Sequence, residues 1–314
     1  MQQAILIAGP TASGKSAFAI RLAKDFNGTV INADSMQVYS DLRVLSARPS
    51  KAEEAEVPHA LYGVLDGAQV CSAAMWTEMA MVEVLKCWDE GRVPILVGGT
   101  GMYFRFLVEG MAAIPEIPEK IRQTVRRRID EEGSEALHAE LTLRDPETAK
   151  RLAPGDSQRI ARAVEVLDET GKSITQWQRV NEPGPLTALD KEGGVSKFIL
   201  ETDRAHLYDR CNLRFDLMLE QGAMDEAATL KGRNLDPKLP LMKALGYPSL
   251  ARYLADELSL EEAVDDGKMQ TRRFAKRQMT WFRNQFSHWI SVDAQQMETK
   301  YTEYKNIITQ KCLD

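Results

Sequence analysis

Short aliphatic runs separated by amphipathic stretches organise the first hundred residues. Residues 4–8 (Ala-Ile-Leu-Ile-Ala) form an unbroken apolar run that stops at Gly9-Pro10. Residues 16–26 set Phe18, Ile20, Leu22 and Phe26 among polar positions, a spacing that predicts a helix. Residues 29–33 predict a second strand closing on Asp34-Ser35, and residues 73–90 a long helix. Residues 93–97 predict a third strand, which runs into Gly98-Gly99-Thr100-Gly101. Strands that are apolar at every position are buried on both faces. The pattern therefore predicts an α/β fold, a parallel sheet covered by helices. Ligands of such sheets sit at the carboxyl ends of the strands. One crevice is thus expected to hold the turn after residue 8, Asp34 and Thr100.

The alternation stops near Ile114-Pro115-Glu116-Ile117-Pro118, and residues 119–177 read as helical and highly charged. Glu182-Pro183-Gly184-Pro185 and Gly193-Gly194 then break the pattern, and residues 197–202 read as a strand returning to the sheet. Beyond residue 203 the chain is helical except for a short strand at 289–292. The organisation expected is a catalytic core over 1–114, a mostly helical insertion domain over 115–194, and the rest of the core, with basic C-terminal helices, over 195–314. A length of 314 residues suits this division.

Composition narrows the class. At 44% hydrophobic and 27% charged residues the chain can bury a core, so a disordered protein is excluded. A net charge of −6 excludes a general polyanion binder; any nucleic-acid site must be a local basic patch. The start lacks the cationic lead of a signal peptide, and no apolar stretch is long enough to cross a bilayer. Cys71, Cys87, Cys211 and Cys312 form no C-x-x-C pair, which argues against a disulfide framework or thiolate zinc site and for a reducing cytoplasm. His59, His138, His206 and His288 share no metal spacing and read as structural. A monomer is the default expectation, which no residue pattern decides.

The sharpest chemical signal is Gly9-Pro10-Thr11-Ala12-Ser13-Gly14-Lys15-Ser16, which matches G-x-x-x-x-G-K-[ST] between a strand and a helix. The glycines let successive N–H groups face one anionic centre, the helix N-terminus adds its dipole, and Lys15 adds a charge. Ser16 is placed to bind Mg²⁺ through its hydroxyl. The cradle specifies a diphosphate or triphosphate without ranking ATP against an alkyl diphosphate. Asp34, closing the second strand, suits a general base, a metal ligand or simply a helix cap. Thr100 stands where P-loop ATPases usually carry an acidic residue, which argues against a motor or switch NTPase.

Taken together, G-P-T-A-S-G-K-S at 9–16, D-S-M-Q-V-Y at 34–39 and G-G-T-G-M-Y-F at 98–104 resemble the bacterial tRNA dimethylallyltransferases. Further matches are D-S-Q-R-I-A-R-A-V-E-V at 156–166, Ala244-Leu245-Gly246-Tyr247, and A-K-R-Q at 275–278 followed by T-W-F-R at 280–283. The blocks follow the family's order across residues 9 to 283. The resemblance implies transfer of a dimethylallyl group from dimethylallyl diphosphate to N6 of adenosine 37 in the anticodon loop of tRNA. It makes Asp34 the base, Thr100 a residue steadying the reacting centre, and Lys15, Arg214 and a Mg²⁺ on Ser16 the groups that neutralise departing diphosphate. Arg214 enters through Arg210-Cys211-Asn212-Leu213-Arg214-Phe215, similar to the family's paired-arginine helix. It also implies tRNA contacts at Asp34, Ser35, Met36, Gln37 and Thr100, at Arg122, Gln158, Arg159, Ile160, Ala161 and Arg162, and at Lys276 and Arg277. One departure is Leu45-Ser46-Ala47-Arg48-Pro49, where the family usually has G-T-A-K-P, so the geometry of that loop is open.

Basic clusters fit an RNA partner. Lys268, Arg272, Arg273, Lys276, Arg277 and Arg283 lie in a stretch without acidic residues, with like charges four apart that oppose each other on a helix. Lys120, Arg122, Arg126, Arg127 and Arg128 form a second cluster, and Arg159 with Arg162 a third. Basic patches on an acidic body suit one folded RNA, and an anticodon loop can splay a base outward. Tyr103, Tyr247 and Trp281 read as core residues or as walls of an isoprenoid tunnel. Two rivals stay open at this stage: a small-molecule P-loop kinase, and a nucleotide-gated tRNA-binding protein.

Overall fold

The structure, a computed structural model, describes residues 2–311. Its strands are β1 (Ala4–Ala8), β2 (Gly28–Asn32), β3 (His59–Ala60), β4 (Val93–Gly98), β5 (Met111–Ala112), β6 (Asn181–Glu182), β7 (Val195–Glu201) and β8 (Ile290–Asp293). Six of them form one sheet in the order β3-β2-β4-β1-β7-β8, with every neighbouring pair parallel. The α/β fold read from the periodicity is therefore the fold observed. β3 is two residues long, too short to leave a hydrophobic signature.

The apolar strands are covered from both sides. Ile5, Val30 and Ile95 share one face and bury against Phe18 and Leu22 of the Lys15–Asp25 helix and Tyr301, Tyr304 and Ile308 of the Met297–Lys311 helix. Phe18 sits at the centre, edge-on to Phe198, Tyr301 and Tyr304 at 5.8–6.2 Å. Burying one such side chain contributes about 1.5–3 kcal/mol. Leu6, Ile31 and Leu96 lie one residue on in the same register and point to the opposite face, where they too are fully buried.

Register positions the site. Ala8 pairs with Gly98 and Asn32 with Val97, so β1, β2 and β4 end at one level. Three loops, Gly9–Ser16, Asp34–Ser35 and Gly99–Thr100, therefore leave the sheet side by side. The close approach of β2 and β4 needs Gly98: a Cβ there would sit 2.0 Å from the Ala33 carbonyl oxygen.

The chain divides into two compact units, Val108–Gly184 and the residues on either side of it. These bounds differ from the 115–194 read from the sequence. Met111 and Ala112 pair antiparallel with Glu182 and Asn181, which draws residues 108–114 into the inserted unit. Residues 185–194 belong to the unit that holds the sheet: Asp190, on the Thr187–Lys191 helix, pairs with Lys197 of β7 at 2.7 Å, and Gly194 O accepts from Ala4 N–H. The Pro/Gly-rich stretch thus mixes a domain boundary with a strand's lead-in turn. Inside the inserted unit, the Glu119–Glu132, Ser134–Arg144 and Ser157–Thr170 helices pack around Val125, Leu137, Leu141, Ile160 and Val164.

Among the described residues no helix is long and apolar enough to cross a membrane, and no cluster of three His, Cys, Asp or Glu side chains can hold a metal. His59 and His138 bond backbone carbonyl oxygens, and Cys71, Cys87 and Cys211 are free thiols; Cys312 lies outside the described residues. Gly98→Ala should destabilise the protein by about 2–3 kcal/mol in urea unfolding, because the clash is with backbone and cannot be relieved by a rotamer.

Candidate active site

The loop between β1 and the Lys15–Asp25 helix carries Ala12 at φ 63° and Gly14 at φ 94°. Positive φ at these positions turns backbone N–H groups toward one centre, an anion nest. Ser13 Oγ is buried there without a hydrogen-bond partner. Lys15 Nζ donates to Pro10 O at 3.1 Å, and Arg214 donates to Thr11 Oγ1. The Arg210 guanidinium lies over the same loop, 3.7 Å from where a Gly14 Cβ would stand. Both arginines come from the Arg204–Glu220 helix, one turn apart. Burial pushes the Lys15 ammonium down to about 8; Asp34 opposes that shift and Arg214 adds to it. Burial also holds Arg214 below the usual guanidinium range. Crowded, poorly hydrated cations of this kind favour an anion among them.

Asp34 follows β2 in a turn it helps to build. Its Oδ1 accepts from Met36 N–H at 3.0 Å, and its own N–H donates to Asn32 Oδ1 at 2.8 Å. Asn32 is completely buried and fixes the turn by donating to Asp34 O and Leu61 O. Trp76 Nε1 donates to Asn32 O, and its indole stacks on Tyr103 at 4.1 Å, so Tyr103 is a core residue. Thr100 Oγ1 accepts from Ser35 N–H at 2.9 Å and keeps its own hydroxyl proton to donate. Asp34 and Thr100 are thus parts of one hydrogen-bonded shelf beside the phosphate loop.

A cavity of about 220 Å³ opens on this shelf, lined by Thr11, Asp34, Ser35, Met36, Leu45, Ser46, Arg214, Phe274 and Arg277, among others. It brings together the candidate base, a cradle residue, the cradle's arginine and two of the family's RNA-contact segments. Gln37 serves the fold, because its amide nitrogen donates to Ser46 O and Ala47 O. On the Leu260–Gln285 helix, Lys268 pairs with Asp216 at 2.6 Å and Arg272 donates to Asn212, so these two basic residues are structural as well. Arg273, Lys276, Arg277 and Arg283 are exposed and have no carboxylate partner among the described residues.

In the inserted unit, Arg159 and Arg162 line a second cavity of about 370 Å³ together with Arg151 and Gln178. Each of the first two pairs loosely with a carboxylate of its own helix or its cap, Asp156 and Glu165 respectively. Gln158 is exposed and Ala161 half-buried, but Ile160 is fully buried in that unit's core, so its side chain has no surface to offer RNA. Arg122 is half-buried, whereas Arg128 is held by Glu132 and Glu140. Arg151 carried no signal in the sequence, whereas Gln278 stood in the A-K-R-Q block at 275–278 without a role read for it. Arg210 stood in the arginine motif, and its spacing from Arg214 was the available clue.

A nest at the end of β1, buried cations, a carboxylate following β2 and a β4 that ends without one define a phosphate-binding α/β enzyme of the group-transfer type. The chain belongs to the IPP transferase family, whose model matches residues 37–285. A protein of Azorhizobium caulinodans named tRNA dimethylallyltransferase is 50% identical over 287 residues, 91% of each chain. The crystal structure of a tRNA isopentenylpyrophosphate transferase from Bacillus halodurans superposes with a TM-score of 0.69 at 31% identity, covering 99% of this chain and 98% of that one. A eukaryotic dimethylallyltransferase acting on tRNA gives a TM-score of 0.83 at 25% identity, covering 100% of this chain and 80% of that one.

The Lys15 ammonium has a direct consequence. In the free protein it loses its proton as pH rises past about 8, whereas a bound diphosphate stabilises the protonated form. Affinity for an alkyl diphosphate, ionised throughout that range, should therefore fall above pH 8, by up to about tenfold per unit. Lys15→Arg keeps its charge and should flatten the profile in calorimetric titrations.

Proposed function

We propose that this protein transfers the dimethylallyl group of dimethylallyl diphosphate to N6 of adenosine 37 in tRNA, releasing diphosphate. The observation carrying this reading is that Asp34 and Arg214 line one cavity together with Thr11 of the phosphate loop, so a base and a leaving-group cradle face the same space. The adenine amine is a weak nucleophile, since its lone pair is delocalised into the ring. As N6 bonds to the allylic carbon, the carbon–oxygen bond to diphosphate breaks, and Asp34 takes the proton N6 gives up. The nest N–H groups, Lys15, Arg210 and Arg214 hold the charge that collects on diphosphate. Thr100, with a free hydroxyl proton and an acceptor bond to Ser35, steadies the group between them.

Magnesium fits this donor set in a limited way. Ser16 is exposed at the loop's end, its hydroxyl makes no hydrogen bond among the described residues, and β4 ends without a carboxylate. A Mg²⁺ with Ser16 as protein ligand would take its other oxygens from diphosphate and water, as this ion commonly does, and would add charge neutralisation. The residues named above supply the positioning and the base.

The four exposed cations on the Leu260–Gln285 helix and the arginine-lined cavity of the inserted unit suit the anticodon stem-loop, at Arg122, Gln158, Arg159, Arg162, Lys276 and Arg277. A small-molecule kinase needs neither, and a passive RNA binder leaves the Asp34–Thr100 shelf idle. Such an enzyme works in the cytoplasm, where tRNA is processed.

Incubation with unmodified tRNA and dimethylallyl diphosphate, followed by mass spectrometry of digested nucleosides, should show one added prenyl unit on adenosine and no consumption of ATP. Asp34→Ala should retain tRNA affinity and lose about a hundredfold or more in turnover. Arg277→Ala should weaken tRNA binding and lower the steepness of its salt dependence by about one counterion.

A further inference from the structure

We propose that Gln278 is a positioning residue that sets the separation between the leaving-group cradle and the base; this inference rests on the prenyl-transfer reading above. Its side chain is a two-ended strut. Oε1 accepts from Thr11 N–H at 2.8 Å, and Nε2 donates to Gly99 O at 2.9 Å. Thr11 belongs to the phosphate loop, and Gly99 precedes Thr100. Gln278 is 6% exposed; its bond to Gly99 is buried and its bond to Thr11 part-buried, so an unmade bond at this amide is costly.

Two further observations show that the link is built. Gly99 has no side chain because Gln278 occupies its place: a Cβ there would lie 2.3 Å from Gln278 Nε2. The same point lies 3.2 Å from Asp34 Oδ2, so the strut ends beside the carboxylate oxygen that Met36 leaves free. One residue on, a Gly101 Cβ would meet Trp281 at 1.9 Å, so the Leu260–Gln285 helix runs against this whole glycine turn. The glycines clear a path for the helix that brings Gln278 to both loops.

The amide's polarity fixes its direction. Thr11 presents an N–H and Gly99 a carbonyl, and only a side chain with both an acceptor and a donor at its tip satisfies the two. With the Thr11 N–H spent on Gln278, the nest faces diphosphate with its remaining donors at a height the helix determines. The allylic carbon held by diphosphate and the amine held near Asp34 must meet within a narrow range, and a shift of about 1 Å can cost about a hundredfold in rate.

Gln278→Met keeps length and shape but neither bond. Gln278→Glu keeps the acceptor for Thr11, loses the donor to Gly99, and retains a polar tip should the methionine variant fold poorly. Turnover and KM are measured with tRNA and dimethylallyl diphosphate, and pyrophosphate affinity by calorimetry on the same preparations. In both variants kcat should fall about tenfold or more, while pyrophosphate affinity and KM for the donor stay within about threefold of the parent. The proposal is overturned if either folded variant turns over within about threefold of the parent, or if pyrophosphate affinity falls in step with kcat, as collapse of the cradle would cause. A parent protein that leaves tRNA unprenylated refutes the functional reading and this role with it; an active parent beside an unimpaired variant refutes this role alone.

Discussion

Everything in the site depends on three parallel strands ending at the same level. Ala8, Asn32 and Gly98 stop together because the β1–β4 and β2–β4 ladders share one register, and the backbone of Ala33 can lie against Gly98 because nothing projects there. From that level the phosphate loop, the Asp34 turn and the Gly99–Thr100 turn leave side by side. A slip of one residue in β2 would exchange its two buried faces, setting Val30 and Ile31 against the wrong layers, and carry Asp34 away from the phosphate loop. The apolar core that fixes the register and the polar site at its edge are therefore one construction.

Electrostatics gives the site its appetite. Lys15 and Arg214 sit where burial disfavours their charge, and Arg210 stands next to them. Asp34 eases this repulsion but is committed through one oxygen to Met36, and it faces the cavity rather than forming a closed ion pair. A cradle of this composition sets cations against one another, and an anion among them relieves that repulsion. In the reaction proposed above, that relief would grow as negative charge accumulates on the departing diphosphate, so stabilisation would increase along the reaction coordinate.

Much of this was legible in the sequence because it is local. The apolar runs at 4–8 and 93–97 marked the buried strands, G-x-x-x-x-G-K-S marked the nest, and Asp34 at a strand end marked the shelf. What escaped is non-local. Gly98-Gly99-Thr100-Gly101 reads as a tight turn, yet its glycines answer to Ala33, Gln278 and Trp281. The Thr11–Gln278 bond spans 267 residues, and nothing in the spacing of either residue announces it. The two-residue pairing of Met111–Ala112 with Asn181–Glu182 moved the inserted unit's limits for the same reason. Ile160 shows the converse: a motif block read as an RNA-contact segment includes a position that the helical period sends into the core.

The loop that departs from the family's G-T-A-K-P pattern shows how the fold absorbs such changes. Leu45 and Ser46 stand in the cavity wall, so their loop must be held firmly. Glu226 does this from the Ala223–Gly232 helix: its carboxylate accepts from the N–H groups of Arg43, Val44 and Leu45 at 2.7–3.0 Å. Arg48 closes the other side by donating to Tyr39, Ser40 and Tyr62 carbonyl oxygens, and Gln37 pins Ser46 and Ala47. Ala47 takes up the left-handed turn at φ 54°. Since nearly all these bonds go to backbone atoms, the loop's course is set with little regard to which side chain stands at position 45. Leucine at that position adds an apolar side chain to the wall of the cavity that Asp34 also lines.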